Sequence, residues 1–405
     1  MLLTALVTIV VLGFVLEELL GYLNQRSAKQ PIDPEIAHLY DEAERQRSIA
    51  YGAARYKVGL ASSAVSTAVL VAALLLGWLA DLDTWARGMV TNDILVSLLF
   101  IGSLSVIGWW ISLPFGLYST FVIEARFGFN KTTWKTFITD TIKGTVLTTL
   151  IGGAILTLIL WLYQQLGDQF WIAAWLVLTG FSLFMFMFGT SLILPLFNKL
   201  TPVPEGELRQ RIEAYCAGQG YAIGKLWVMD GSRRSTKANA FFAGLGRTKT
   251  IVLFDTLVEK LNTDEIVAVL AHEVGHYKRK HSLSMFILTC AESFAMLFLL
   301  GWLLGYPELS EALGASQSSF HLSALAFFLL YTPFAMLQGL LNNSLSRSRE
   351  FDADQFAKRT DSADALASGL QKISTDSLSN LNPHPWYVRF NYTHPPLKER
   401  LRALA

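Results

Sequence analysis

Apolar runs of about 20 residues, the length a helix needs to cross a bilayer, recur near residues 2–22, 58–80, 94–118, 144–163, 169–195, 283–304 and 322–342. In hydrocarbon every backbone N–H and C=O must find its partner inside the chain, so these seven runs require membrane-spanning helices. Composition agrees: 52% of residues are hydrophobic and 16% charged, against about 25% charged in soluble domains. A net charge of +1 lacks the basic excess of a nucleic-acid binder, so the expected surroundings are the lipid bilayer and no nucleic acid. The first run has no Lys or Arg before it and is too long for a signal-peptide core, so it reads as a retained helix. Cys216 and Cys290, one in a polar segment and one in a span, read as small buried hydrophobes.

The loops alternate in charge. Connection 23–57 carries Arg26, Lys29, Arg45, Arg47, Arg55 and Lys57, whereas 81–93 has only Arg87. Stretch 119–143 carries Arg126, Lys131, Lys135 and Lys143, whereas 164–168 and 305–321 have no Lys or Arg. Segment 196–282 and the C-terminal tail are again basic. Because basic loops stay cytoplasmic, the N-terminus is expected outside and the C-terminus inside. The chain divides into an N-terminal membrane region of five spans (1–197), a cytoplasmic segment (198–282), two further spans (283–342) and a C-terminal segment (343–405).

Within 198–282, Leu208, Ile212 and Tyr215 repeat at helical spacing and predict a helix over 205–218. Short apolar and β-branched stretches at 225–229, 239–243 and 250–257 predict strands, with a hairpin turn at Gly244-Leu245-Gly246-Arg247. A helix follows: Asn262 with Glu265 three residues on forms a capping box, and Lys278, Arg279 and Lys280 suit its C-terminal end.

That helix carries His272-Glu273-Val274-Gly275-His276, an H-E-x-x-H motif. Four residues advance a helix by about 40° beyond one turn, so both imidazoles share a face and can hold one zinc ion. The intervening Glu273 is then placed as a general base for peptide hydrolysis. The chain has seven His, so a chance match is rare, and the helical context agrees with the motif. Catalytic zinc takes a third protein ligand. His281 comes nine residues after His272, on the opposite face of a continuous helix, and reads as solvated or interfacial. Glu350 and Asp354, four apart on one helix face beyond the last span, offer one carboxylate for the metal and one to orient a ligating imidazole. Asp352 points elsewhere, toward solvent. Glu17, Glu18 and Glu292 fall inside spans, where a charged group faces protein interior or water. Glu292 is expected to line water, while Glu17 and Glu18 fit the cytoplasmic end of their helix.

Several separated blocks, in one order over nearly the whole chain, resemble the type I CAAX prenyl proteases, integral membrane zinc metalloproteases. They are Arg126-Phe127-Gly128-Phe129-Asn130-Lys131, Leu196-Phe197-Asn198-Lys199-Leu200-Thr201-Pro202, Asp230-Gly231-Ser232-Arg233-Arg234-Ser235, Ala238-Asn239-Ala240-Phe241-Phe242 and Phe254-Asp255-Thr256-Leu257. H-E-V-G-H, Glu350-Phe351-Asp352-Ala353-Asp354 and Thr393-His394-Pro395-Pro396 with Glu399-Arg400 complete the set. The resemblance implies a mainly α, polytopic membrane protein. About seven transmembrane helices would ring a water-filled chamber, capped by a zincin-like α+β catalytic domain on the cytoplasmic side. It implies one Zn2+ per chain on His272, His276 and Glu350, with Asp354 behind the ligands and Glu273 as base. His394 would donate to the oxyanion, with Arg400 supporting the site. Substrate would lie along Asn239, Ala240 and Phe241, where a peptide can add to a sheet edge.

The implied substrates are prenylated CAAX proteins or other membrane-associated polypeptides. Thr236-Lys237 and Thr393 depart from the residues usual in the family, without removing a ligand or base. The chain end at Ala405 without a retrieval signal, together with compact loops, gives the expectation of a bacterial inner membrane. Three rival readings fit less well. An HtpX-like quality-control protease usually has fewer spans. A site-2-type intramembrane protease fails because Met229-Asp230-Gly231 precedes the metal helix in a polar region. A non-enzymatic chamber protein or transporter would not need the full set of histidines, base and carboxylates.

Overall fold

The computed structural model of the protein describes residues 1–405 apart from 222, 244–249 and the side chains of 242 and 243. Six helical runs are long and apolar enough to cross a membrane: Leu2–Ala28, Glu42–Leu75, Asp93–Glu124, Trp134–Phe197, His281–Leu303 and Phe320–Thr360. The fourth folds back at Gly167, whose φ of 53° suits a residue without Cβ. It therefore contains two membrane-length helices, Trp134–Leu166 and Phe170–Leu192. Each of the seven apolar runs thus has its helix. The run expected to reach residue 80 stops earlier, because the chain breaks at Gly77 and begins a separate helix, Trp78–Met89.

Only 6% to 17% of the most apolar window of each run is buried. A helix in a solid bundle would bury an apolar stripe at least 100° wide. These helices therefore form a thin wall, open toward lipid on one side and toward an interior on the other. Dense packing sits at the ends. At one end Leu6, Leu74, Leu79, Phe100, Leu313 and Leu322 close together. Beside them, His321 Nε2 lies 2.7 Å from Asp83 Oδ1 and His321 Nδ1 lies 3.0 Å from Ser97 Oγ. The helix Phe320–Thr360 runs from this cluster to Glu350, 29 residues on, or about 40 Å at 1.5 Å per residue.

At the other end lies a four-stranded sheet, ordered β1 (Leu200–Pro202), β2 (Lys225–Met229), β4 (Thr250–Phe254) and β3 (Ala240–Ala243). β2 and β4 are parallel, the outer pairs antiparallel, and β3 is an edge strand. Ile251 and Leu253 pack with Ile212 and Cys216 of the helix Glu207–Gly218 and with Ile266, Leu270 and Val274 of the helix Thr263–Lys278. The expected strand over 250–257 ends at Phe254, because Asp255 Oδ1 accepts from Ser232 N and Thr256 N at 2.8 Å each and starts the helix Asp255–Lys260. β1 was not foreseen; its Pro202 lacks an N–H and fits only a sheet edge. The hairpin turn expected at 244–247 lies outside the described residues.

Arg234 joins the sheet region to the membrane wall. Its guanidinium donates twice to Asp140 (2.8 and 3.0 Å), to Asn198 Oδ1 (2.7 Å) and to the Phe197 carbonyl (2.6 Å). Nearby, Lys237 Nζ donates to Glu124 Oε2 (3.0 Å) and Tyr51 OH (2.7 Å), which places the departure from the family pattern inside a structural ion pair. Hydrogen bonds to charged groups contribute about 1.5–3 kcal/mol each when lost. Arg234→Ala should therefore lower the thermal midpoint of the detergent-solubilised protein and expose the 196–240 region to protease first. An unchanged midpoint would show that the junction is held elsewhere.

Candidate active site

The helix Thr263–Lys278 is set by its sequence. Asn262 Oδ1 accepts from Glu265 N (2.9 Å) and Glu265 Oε2 accepts from Asn262 N (3.0 Å), the expected capping box. Glu265 is also held by Ser368 Oγ and Lys372 Nζ at 2.6 and 2.8 Å, which sequence reading did not foresee. The second element is the C-terminal half of Phe320–Thr360, whose buried Glu350, Ala353, Asp354 and Ala357 form one face. Gly275 lets the two helices meet: a Cβ there would stand 3.1 Å from Phe356 Cβ and 3.2 Å from Ala353 Cα.

His272, His276 and Glu350 converge where these helices cross, with ligand-type atoms all within 4.8 Å of one another. His272 Nε2 lies 3.1 Å from His276 Nε2 and 3.4 Å from Glu350 Oε2, and His276 Nε2 lies 3.2 Å from Glu350 Oε1. Tetrahedral ligands at about 2.0–2.1 Å from one ion are themselves about 3.3 Å apart, so these separations fit a metal. The donor set fits as well. Glu350 Oε2 is buried and makes no hydrogen bond; Arg400 Nη1 stands 3.7 Å away, so the oxygen keeps a lone pair free for a metal. Burial works against a charged His272 imidazole, yet hydrogen bonding to Asp354 and Glu350 outweighs it and lifts the pKa to about 9.

Behind His272, its Nδ1 lies 2.8 Å from Asp354 Oδ1. Arg400, also buried, clamps Asp354 through Nε (2.9 Å) and Nη2 (2.6 Å). A carboxylate on the far nitrogen of a ligating histidine fixes its tautomer and raises its basicity. Glu273 is half-buried between the two histidines on the same helix. The exposed His394 has Nε2 3.5 Å from Glu350 Oε1, with Thr393 Oγ1 2.9 Å from its Nδ1. The structure thus brings His272, His276, Glu350, Asp354, Arg400 and His394 together from three separated segments.

Asn239 is exposed at the start of edge strand β3, its carbonyl accepting from Phe254 N (3.1 Å) and its Oδ1 from Ala240 N (2.9 Å). Among the described residues, Ala240 and Phe241 pair with Leu253 and Val252 on one side only. A cavity of about 610 Å³ adjoins this region; its lining includes Lys237, two residues before Asn239, and Tyr392, two before His394. Glu17 and Glu18 line the same cavity, so they face a polar interior. Glu292 lines a second cavity, with both carboxylate oxygens accepting from Asn342 Nδ2 at 3.0 and 3.2 Å.

Two smaller expectations divide. Asp352 is exposed as expected. His281 is buried between helices, the interfacial alternative, but not on the opposite face: the helix ends at Lys278, Lys280 takes a φ of 56°, and His281 begins the next helix with its Nδ1 3.1 Å from His276 Nδ1. The opposite-face argument assumed an unbroken helix.

Fold and site together define a membrane-embedded metallopeptidase. Residues 22–199 match the family description "CAAX prenyl protease N-terminal, five membrane helices", and residues 202–405 match "Peptidase family M48". The chain is 36% identical to the CAAX prenyl protease 1 homolog of Oryza sativa over 99% of its own length and 97% of the relative's. It is 35% identical to CAAX prenyl protease 1 of Saccharomyces cerevisiae, over 78% and 74% of the two chains. The crystal structure of S. mikatae Ste24p superposes with a TM-score of 0.95 at 31% identity, covering 100% of this chain and 99% of that one. The chain belongs to peptidase family M48 and carries the N-terminal membrane region of the CAAX prenyl proteases. It is an integral membrane protease.

The close helix crossing generates a test. Gly275→Ala forces a methyl group into a contact with the Ala353 backbone and should cost about 1–3 kcal/mol. The expected result is a lower thermal midpoint together with weaker metal retention on dialysis, and full retention would contradict the packing argument.

Proposed function

We propose that the protein is a zinc endopeptidase acting on membrane-associated polypeptides, with prenylated CAAX-type substrates as its foremost class. The observation that carries the reading is the buried convergence of His272, His276 and Glu350 around an unsatisfied carboxylate oxygen. Two imidazoles and one carboxylate form a ligand set typical of catalytic zinc, leaving a position open for water or substrate. When bound, zinc supplies Lewis acidity that polarises a carbonyl and lowers the pKa of water to about 7.

The chain's own residues do the rest. Glu273 takes a proton from the attacking water and delivers it to the leaving amine. His394, exposed beside Glu350, donates a hydrogen bond to the scissile carbonyl oxygen as negative charge develops there. Asp354 and Arg400 hold His272 in one tautomer. Substrate backbone adds to the free edge of β3 along Asn239, Ala240 and Phe241, since main-chain pairing binds an extended peptide without regard to sequence. The lipid specificity rests on the names of the relatives, CAAX prenyl protease 1 homologues. The alternation of basic loops supports a cytoplasmic catalytic end.

Two measurements test this. Purified protein is incubated with a farnesylated C-a-a-X peptide and its unmodified twin, with Glu273→Gln as control. Cleavage of the lipidated peptide alone, reduced by about 10²–10⁴ in the variant, is the expected result. Equal cleavage of both peptides would remove the lipid requirement and keep the protease, and cleavage surviving in the Glu273→Gln protein would overturn the assigned base. His394→Ala should lower kcat by about 10²–10³ with little change in KM, as loss of an oxyanion donor does. A rise in KM alone would assign His394 to ground-state binding.

A further inference from the structure

The two ligating histidines have different partners behind them. His272 faces the Asp354 carboxylate, itself clamped by Arg400. His276 instead presents its Nδ1 to another imidazole, His281 Nδ1, at 3.1 Å. Two ring nitrogens at that distance share one proton, so one donates and the other accepts. With His276 Nε2 directed at the metal cage, its Nδ1 must carry the hydrogen, and His281 Nδ1 must be the acceptor. The proton of neutral His281 then sits on Nε2, which faces Asp352 Oδ2 at 3.8 Å. The His281 side chain is 9% exposed, while Asp352 stands at the surface, so the chain runs outward from the cage to solvent.

The geometry points to His281 as a positioning residue for the metal: it fixes the tautomer and ring orientation of His276 through an imidazole–imidazole hydrogen bond, with the Asp352 carboxylate 3.8 Å beyond it. The backbone is built for this contact. Lys280 takes the left-handed conformation (φ 56°, ψ 32°), which a non-glycine residue adopts only where surroundings impose it. That single residue turns His281 from the far side of the helix to the near one. The His281 carbonyl is held as well, accepting from Ser284 Oγ (2.9 Å) and Arg349 Nη1 (3.5 Å). Arg349 precedes the ligand Glu350 directly, so this contact ties the start of the His281 helix to the helix that carries Glu350. The functional consequence is an asymmetric cage: one histidine is made more basic by a buried anion, the other is aligned by a neutral ring.

This inference rests on the metal site proposed above, and the experiment separates the two. Full-length protein in detergent is loaded with Zn2+, and affinity is read by chelator competition; Co2+-loaded samples give a visible absorption band that reports ligand geometry. Loss of an outer partner of a ligating histidine costs roughly 10–100-fold in metal affinity. His281→Ala should show that loss and a shifted Co2+ band. His281→Asn, whose side-chain carbonyl can accept from His276 Nδ1, should recover most of the affinity. His281→Phe, which restores volume but accepts no hydrogen bond, should not. Asp352→Asn should weaken binding less than His281→Ala. Wild-type affinity in both His281→Ala and His281→Phe would overturn the inference, as would rescue by Phe and not by Asn, since that pattern belongs to packing. If the wild-type protein itself binds no Zn2+, or if His276→Ala binds as tightly as wild type, the metal site fails and not merely its outer partner.

Discussion

Everything at the catalytic end is arranged around one electrostatic demand: two imidazole nitrogens and a carboxylate meet in a buried place where they repel, or stay unsatisfied, unless a cation sits among them. A hydrophobic core would collapse such a group or exclude it. Here the group is imposed by packing. Alanines 353 and 357, both fully buried, and the absent Cβ of Gly275 bring two helix backbones close enough for their polar side chains to face each other. Arg400 and Asp354 then lock one ligand, and His281 abuts the other.

The same helix that delivers Glu350 also spans the wall of the molecule. Phe320–Thr360 begins at the Asp83–His321–Ser97 cluster and carries Glu350 and Asp354 to His272, so one continuous helix, with Pro333 inside it, connects the closed end to the site. Between its ends the membrane helices bury little of themselves. Such a thin wall needs its ends secured, and that is where buried ion pairs and hydrogen bonds concentrate. Arg234 and Lys237 secure the sheet to the membrane helices at the catalytic end. Edge strand β3 follows directly after this junction, which gives a peptide-binding edge a firm base.

Legibility of the site varied with the separation of its parts. His272, Glu273 and His276 were readable because helical geometry alone puts them on one face. Glu350 and Asp354 were readable as a pair for the same reason, but nothing local says that their helix crosses the first. His394 and Arg400 came only from resemblance, since a histidine before two prolines and an arginine on a short terminal helix carry no periodic signal. The direction of His281 was misread, because one left-handed residue at Lys280 reversed it and no sequence rule marks a lysine for that conformation. β1 was missed because a three-residue strand containing proline is shorter than any pattern.

By itself the sequence determined the seven membrane helices, the capped H-E-x-x-H helix, strand β2 to the residue and the class of chemistry. Each of these rests on local physics: bilayer thickness, helical periodicity, capping and ligand type. Tertiary structure alone decided which carboxylate meets the histidines, that Glu17 and Glu18 face a polar cavity, where the extended segment yields to a helix at Asp255, and which imidazole stands behind His276. Those depend on contacts between residues from five to more than a hundred positions apart, where a single turn, a missing Cβ or a salt bridge sets the geometry. Such contacts are fixed by packing in three dimensions and leave no period in the chain.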